Sequence, residues 1–308
     1  MDGAELPREV VYLPFEDGPF RMAMGLVSCP EADWIEIDER YPAEMAERWE
    51  LLATRHEDVF AACPGSEAAR AEVLALLAAH LPARFPTWFQ REGHQLRNRL
   101  TGEEWDLAAH GLDPLELAAR LVQEDLCIIR PAEGGPVLEA GLLCAPTRWR
   151  ITEKVGRPLM AVHAAVPFYG ERLGVPVDRF MGQIKAGRVA MRVNWSVVDS
   201  PALFQLEGKH RGERDPSFTA ENAGERLHLR TERQTFRRLP ESGAVLFTIR
   251  VHSYPLTRVA ALPGVAKRLA GAVRALPEEM GRYKSLPVYR EALLAWLDAA
   301  RPATLPGN

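Results

Sequence analysis

The chain has 308 residues, 47% of them hydrophobic and 26% charged, and a formal net charge of −4. That balance lacks the basic surplus of a nucleic-acid footprint, and no window reaches the roughly 18 uninterrupted apolar residues of a membrane span. The length is ample to bury a core without disulfides or metals, as two domains or as one large domain with decorations.

The opening stretch, MDGAELPREVVYLPFEDG, is acidic and broken by prolines, so it does not read as a secretory signal, and a cytoplasmic location is expected. No two of Cys29, Cys63, Cys127 and Cys144 stand at a CxxC or CxxxxC spacing. A zinc ribbon or plant-type iron–sulfur loop is therefore unsupported, and reduced structural thiols are expected. Any redox chemistry would need a bound cofactor, with electrons supplied from elsewhere.

In chain order, helical periodicity is expected over 44–60, over 66–81 with Ser66 as cap and Glu67 in the first turn, and over 112–125 with Pro114 in the first turn. These make residues 1–120 a mainly helical N-terminal extension. His56, His80, His94 and His110 lie in or beside it and read as surface or capping residues.

At residue 125 the period changes. DLCIIRP (125–131) and PVLEAGLLCAP (136–146) read as a hairpin, and 152–186 as a helical crossing broken by Pro158, Pro167 and Pro176. Three strands follow, RVAMRVNWSVV (188–198), RLHLRTERQTFRRLP (226–240) and GAVLFTIRVHSYPL (243–256), the last two joined by a tight turn at 240–243. Two amphipathic helices, 263–276 and 288–300, close the chain.

The expected fold is α+β: a PAS-like five-stranded antiparallel sheet with broken crossing helices over 121–262, and C-terminal helices over 263–308. Polar residues alternate along the last three strands: Arg188, Arg192 and Asn194; then His228, Arg230, Glu232 and Gln234; then Thr248, Arg250 and His252. These positions either face solvent or line a pocket beneath the broken helices. The segment EKVGRPLMAVHAAVP (153–167) places His163 in an otherwise apolar, proline-bounded run. Such a histidine is either a core residue bonded to a backbone carbonyl or a ligand.

Six stretches in order carry a resemblance: PFEDGPFRMAMGL (14–26), ADWIEIDERYPAEMAERWELL (32–52), Trp149 with EKVGRPLMAVHAAVPFY (153–169), VDRFMGQIKAGRVAMRVNW (177–195), LRTERQTFRRLPESGAVLFTIR (229–250) and the Pro-Leu pair at 255–256. The chain resembles the alpha subunit of the haem-dependent oxidative N-demethylases. The resemblance implies a PAS-fold domain binding haem b, O₂ activated at the iron, and a small amine substrate. It also implies electrons from NADPH through a partner reductase carrying FMN and a 2Fe–2S cluster, or through a ferredoxin.

On that resemblance His163 is the expected axial iron ligand, with His228 as its competitor. Arg192, Arg230, Arg233 and Arg250 are candidates for the haem propionates, because planar guanidinium pairs bidentately with carboxylate. Their alternative is pairing with Glu207, Glu213 or Glu232. Trp195 is a candidate for packing against the porphyrin edge, as is Trp149, with core packing the default for both. Related chains carry a tyrosine where this one reads TIRVHSY, which makes His252 the expected proton relay. Arg250, Arg230 and Gln234 complete the expected catalytic set. Lys209, His210 and Arg211 form a basic cluster, read as solvated or as a docking patch for an acidic redox partner. The rival class is a PAS haem sensor or binding protein, against which stands the absence of a recognisable output domain in the sequence.

Overall fold

The computed structural model describes residues 5–300. The architecture is α+β, with a seven-stranded antiparallel sheet and a separate three-stranded one. Strands β1 (Val27–Cys29) and β2 (Phe60–Ala62) are short, and β3 (Phe89–Glu92), β4 (Gln95–Asn98) and β5 (Glu103–Asp106) make the small sheet. The long strands are β6 (Asp125–Arg130), β7 (Val137–Leu142), β8 (Val189–Val198), β9 (His228–Arg238) and β10 (Val245–Pro255). The large sheet runs β1-β8-β9-β10-β6-β7-β2. All five strands expected from the sequence are present in it. β1 and β2 add one strand at each edge, so the sheet has seven strands rather than five.

The helical expectations hold in outline and break where local geometry intervenes. The 44–60 pattern is two helices, α1 (Tyr41–Thr54) and α2 (His56–Val59), separated by Arg55 at φ −138°. In α3 (Glu67–Arg84), Ser66 does not cap with its side chain; its hydroxyl donates to the Cys63 carbonyl, 2.7 Å away, and accepts from Arg70. The 112–125 pattern shortens to α4 (Pro114–Ala119), capped by Asp113 accepting from the Leu115 amide. The turn between β9 and β10 closes through Gly243 at φ 72°, a conformation that costs glycine nothing. Glu72 of α3 pins that turn by accepting from the Glu241 and Ser242 amides.

Both faces of the sheet are covered. On one, here the crossing face, Cys127, Ile129, Phe236 and Val245 pack under α5 (Leu159–Val162), α6 (Tyr169–Arg172) and α7 (Gly174–Gln183). On the opposite face Leu126, Ile128 and Leu246 pack against α1 and α3. Further along that face Val197, Leu229 and Tyr254 meet the C-terminal part of the chain: α8 (Ala223–Arg226), α9 (Leu256–Ala260), α10 (Val265–Ala275), α11 (Glu278–Tyr283) and α12 (Arg290–Ala299). Trp149 joins the crossing-face core. No helix among the described residues is long and apolar enough to cross a membrane.

The opposite face also holds a buried ionic network. Arg250, 1% exposed, pairs with Asp38 at 2.9 Å and Glu44 at 2.7 Å. His252 sits between Glu9 (3.3 Å) and Glu36 (3.4 Å), and Arg258 takes the other oxygen of Glu9. Arg233 reaches Glu36 and the Trp34 carbonyl. These groups tie the N-terminal segment to β9 and β10. Burial by itself would depress the His252 pKa, but hydrogen bonds to Glu36 and Glu9 outweigh it and raise the pKa above the ordinary 6.5. Burial would likewise raise Glu9 and Glu36, yet His252 and the neighbouring arginines hold both below 4.5.

The network therefore contributes most to stability between the carboxylate and histidine ranges. The His252 contribution is complete below 6.5 and is lost as pH rises through its elevated folded value. The carboxylate contribution is present above 4.5 and is lost as pH falls through their lowered folded values. Replacing His252 by Phe takes one partner from each of two buried carboxylates and is expected to cost about 3 kcal/mol near pH 6. The deficit should narrow toward alkaline and strongly acid pH. Urea unfolding of both proteins across pH checks this, and a deficit that is flat with pH contradicts it.

Candidate functional site

His163 follows directly on α5 and closes its last turn. Its Nδ1 lies 2.9 Å from the Leu159 carbonyl, an acceptor only, so Nδ1 donates there. That fixes the tautomer and leaves the Nε2 lone pair free, with no protein partner among the described residues. Burial lowers the His163 pKa, and the charges of Lys154, Arg192 and Lys209 push the same way, so the ring is neutral at pH 7. The ring stacks on Tyr169, with centroids 4.4 Å apart and planes 14° from parallel. Tyr169 is aimed by Phe168, which takes up left-handed backbone (φ 64°), a strained conformation for a bulky residue. The Tyr169 hydroxyl is buried without a hydrogen-bond partner.

Beneath lie β8 and β9. The pairing sets Arg192 opposite Gln234 and Asn194 opposite Glu232, so all four share the crossing face. Arg192 is half-buried, its Nε is buried and unpartnered, and burial lowers its pKa against a weaker pull from Glu232. Glu232 is held by three donors: Thr147 (2.6 Å), Gln234 (2.9 Å) and Asn194 (3.4 Å). Residues Ala190–Ser196 of β8 are only half-buried although this strand is internal at its start, a partly open stretch here called the cleft.

That cleft has a built wall. β1 pairs with β8 only from Val189 to Met191, leaving later carbonyls of β8 on a free edge. Lys284 donates to the Trp195 carbonyl (2.5 Å) and Tyr289 to that of Val197 (2.7 Å). Burial is the main cause that brings the Lys284 pKa down to about 8. Ser285 bonds the Gly208 carbonyl and the Arg211 amide, stapling the loop that carries Lys209 over the Tyr283 ring, 4.6 Å from its centroid.

The residues singled out from the sequence separate into groups. The charge of Arg192 acts on His163, and Gln234 pairs with Arg192 across the strands. Arg230 shares their face but is fully buried and spent: its guanidinium donates to the carbonyls of Ala145, Ala202 and Leu203 and to the Thr147 hydroxyl. It pairs with neither Glu232 nor any other carboxylate, and burial lowers its pKa to about 10. His228 lies on the same face six residues from Gln234, roughly 20 Å along the strand, behind the loops that Arg230 holds.

Arg233, Arg250, His252 and Trp195 are on the opposite face. Arg250 pairs across the sheet with Arg233, whereas it is Ile249 that faces Gln234. His252 and Arg192 thus lie on opposite sides of the sheet, and Arg233 and Arg250 are neutralised by Glu36, Asp38 and Glu44. Trp195 packs edge-on against Phe15. Of the expected basic cluster, Arg211 pairs with Asp199, and Lys209 turns inward rather than into solvent. Sequence reasoning passed over Tyr169, although it ends the PFY of the quoted segment. It also passed over Lys284, which gives no sequence signal because only the fold brings the C-terminal turn to β8.

A family model described as "haem-dependent oxidative N-demethylase, alpha subunit-like" matches residues 25–294. The chain belongs to this family. The match spans the crossing helices, β8–β10 and the turn that carries Lys284, so the cleft falls within the haem-dependent N-demethylase-like region.

The two arginines of the crossing face should respond differently to mutation. Arg230→Met strands several buried carbonyls and is expected to cost about 3 kcal/mol. Arg192→Met removes a cation that has no partner and should be near neutral. Denaturant titration checks both, and an Arg192→Met loss equal to that of Arg230→Met contradicts the distinction.

Proposed function

We propose that this chain binds haem b on the crossing face, with His163 as axial ligand, and oxidises a small N-methylated compound with O₂. The carrying observation is the His163 ring: Nδ1 is fixed on a backbone carbonyl while Nε2 is free, neutral and aimed away from its helix. A second bond of that kind is what orients a ligating imidazole and sets its basicity. The residues around it suit the group. Arg192 has an unpartnered buried Nε and the Tyr169 hydroxyl is likewise orphaned, so both are available to propionate oxygens. The element order of two strands, broken crossing helices and three strands supports a PAS-like reading of residues 121–262.

Haem bound there would supply O₂ binding and activation at its iron. The protein's own part is positioning. The Leu159 carbonyl and the Tyr169 ring hold the imidazole from two sides. Glu232, the carboxylate presented by β9, is fixed by Thr147, Gln234 and Asn194 and can accept the N–H of an amine. Lys284 holds a proton on Nζ with a pKa of about 8, within reach of neutral pH, and takes the relay role that the sequence assigned to His252. Demethylation by O₂ consumes two electrons and two protons and releases formaldehyde and water. The four cysteines are free and unclustered, so a separate reductase or ferredoxin must deliver the electrons, in keeping with a family described as an alpha subunit.

Reconstitution with hemin is expected to give one Soret-absorbing haem per chain. His163→Ala should abolish or grossly alter that spectrum, while His228→Ala leaves it unchanged. Absence of a Soret band in the wild type, or its loss in His228→Ala alone, overturns the proposal.

A further inference from the structure

The charge of the cleft is unusual for a site meant to receive a simple amine. Three half-buried cations, Lys154, Arg192 and Lys209, act on His163, and a fourth, Lys284, stands near Arg192 and Lys209. Lys154 donates to the Val162 carbonyl (2.8 Å), next to His163 in the chain. Lys284 is fixed on the Trp195 carbonyl, three residues along β8 from Arg192, and the Ser285 staple sets Lys209 beside it. None of the four makes an ion pair among the described residues, whereas the arginines of the opposite face are matched to Glu36, Asp38 and Glu44. The carboxylate that faces Arg192, Lys209 and Lys284 is Glu232, and Glu153 acts on Lys154 and Lys209.

Backbone strain marks the same place. The four non-glycine residues of the described chain with positive φ are Arg148, Phe168, His210 and Ser285. Each is next in sequence to a residue of the cleft: Thr147, Tyr169, Lys209 and Lys284. Such conformations cost of order 1–3 kcal/mol each and persist where the surroundings impose them. The cations are thus held in place rather than left on mobile surface chains.

Lys209 and Lys284 thus stand as a pair of cations beside one fixed carboxylate, Glu232. An alkylammonium such as dimethylammonium offers nothing to that pair and is repelled by it. The geometry points to a substrate that carries its own carboxylate, an N-methyl amino acid, with the carboxylate taken by Lys209 and Lys284 and the amine by Glu232. This rests on the oxidative reading for its chemistry but not for its binding, since the cations belong to the protein. Burial lowers the pKa of all four cations, and the pull of Glu232 or Glu153 offsets it only in part.

The test is calorimetric titration of the full chain as purified, with its Soret absorbance recorded, using N-methylglycine and dimethylamine as probes. N-Methylglycine is expected to bind about tenfold more tightly or better, the scale of a charge-assisted hydrogen bond. Lys209→Gln and Lys284→Gln should each weaken N-methylglycine by about tenfold without changing dimethylamine. Lys267→Gln, on the exposed side of α10, should change neither. Lys209 lies in a loop, so its variant keeps the test valid if Lys284→Gln fails to fold. Equal or tighter binding of dimethylamine, no binding of N-methylglycine, or undiminished N-methylglycine binding in Lys209→Gln overturns the inference. Preference for N-methylglycine in a protein that takes up no haem supports the anion site and defeats the haem reading alone.

Discussion

In a β-strand successive side chains point to opposite faces, and residues directly paired across antiparallel strands share a face. That constraint governs this molecule, because its central sheet is covered on both sides and carries charged residues on both. The pairing of Arg192 with Gln234, and of Arg250 with Arg233, decides which charges can meet. On the opposite face every arginine finds a carboxylate contributed by the N-terminal segment or by α1. On the crossing face Arg192 and three lysines find none. A buried charge without a partner is costly, so the imbalance points to a ligand that supplies the missing negative charge.

The two faces do different work. The acidic N-terminal segment, with Glu9, Glu36, Asp38 and Glu44, neutralises β9 and β10 from one side and locks the helical extension onto the sheet. Arg230 does a related task on the other side by gathering the 145–147 and 202–203 loops onto its guanidinium, which closes off the end of the sheet where His228 lies. What stays open is the stretch of β8 between its short partner β1 and the lysine-capped edge. Within reach of the Arg192 charge, His163 ends a helix one turn long that is bounded by Pro158.

Much of this was legible in the sequence. The five long strands, the proline-broken crossing and the isolated histidine at 163 are strong local patterns, and the period-2 alternation along β8, β9 and β10 was read correctly within each strand. What alternation cannot give is the phase between strands. Polar runs in β9 and β10 look alike, yet the register puts Gln234 against Ile249, so Arg250 and His252 fall on the far side from Arg192. Three-residue strands such as β1 and β2 are too short to show a period. Lys284 is invisible for another reason, because its role comes from a contact across 89 residues of chain with the Trp195 carbonyl.

The central claim is that the Nε2 atom of His163 is a vacant ligand position on a face whose cations Arg192, Lys154, Lys209 and Lys284 form no ion pair among the described residues. Replacement of His163 by Gly, followed by imidazole titration of the hemin-loaded protein, tests it most directly. The account predicts that the variant loses the wild-type Soret spectrum and regains it as free imidazole fills the space left by the ring. A His163→Gly protein that keeps the wild-type spectrum with no imidazole added would contradict it.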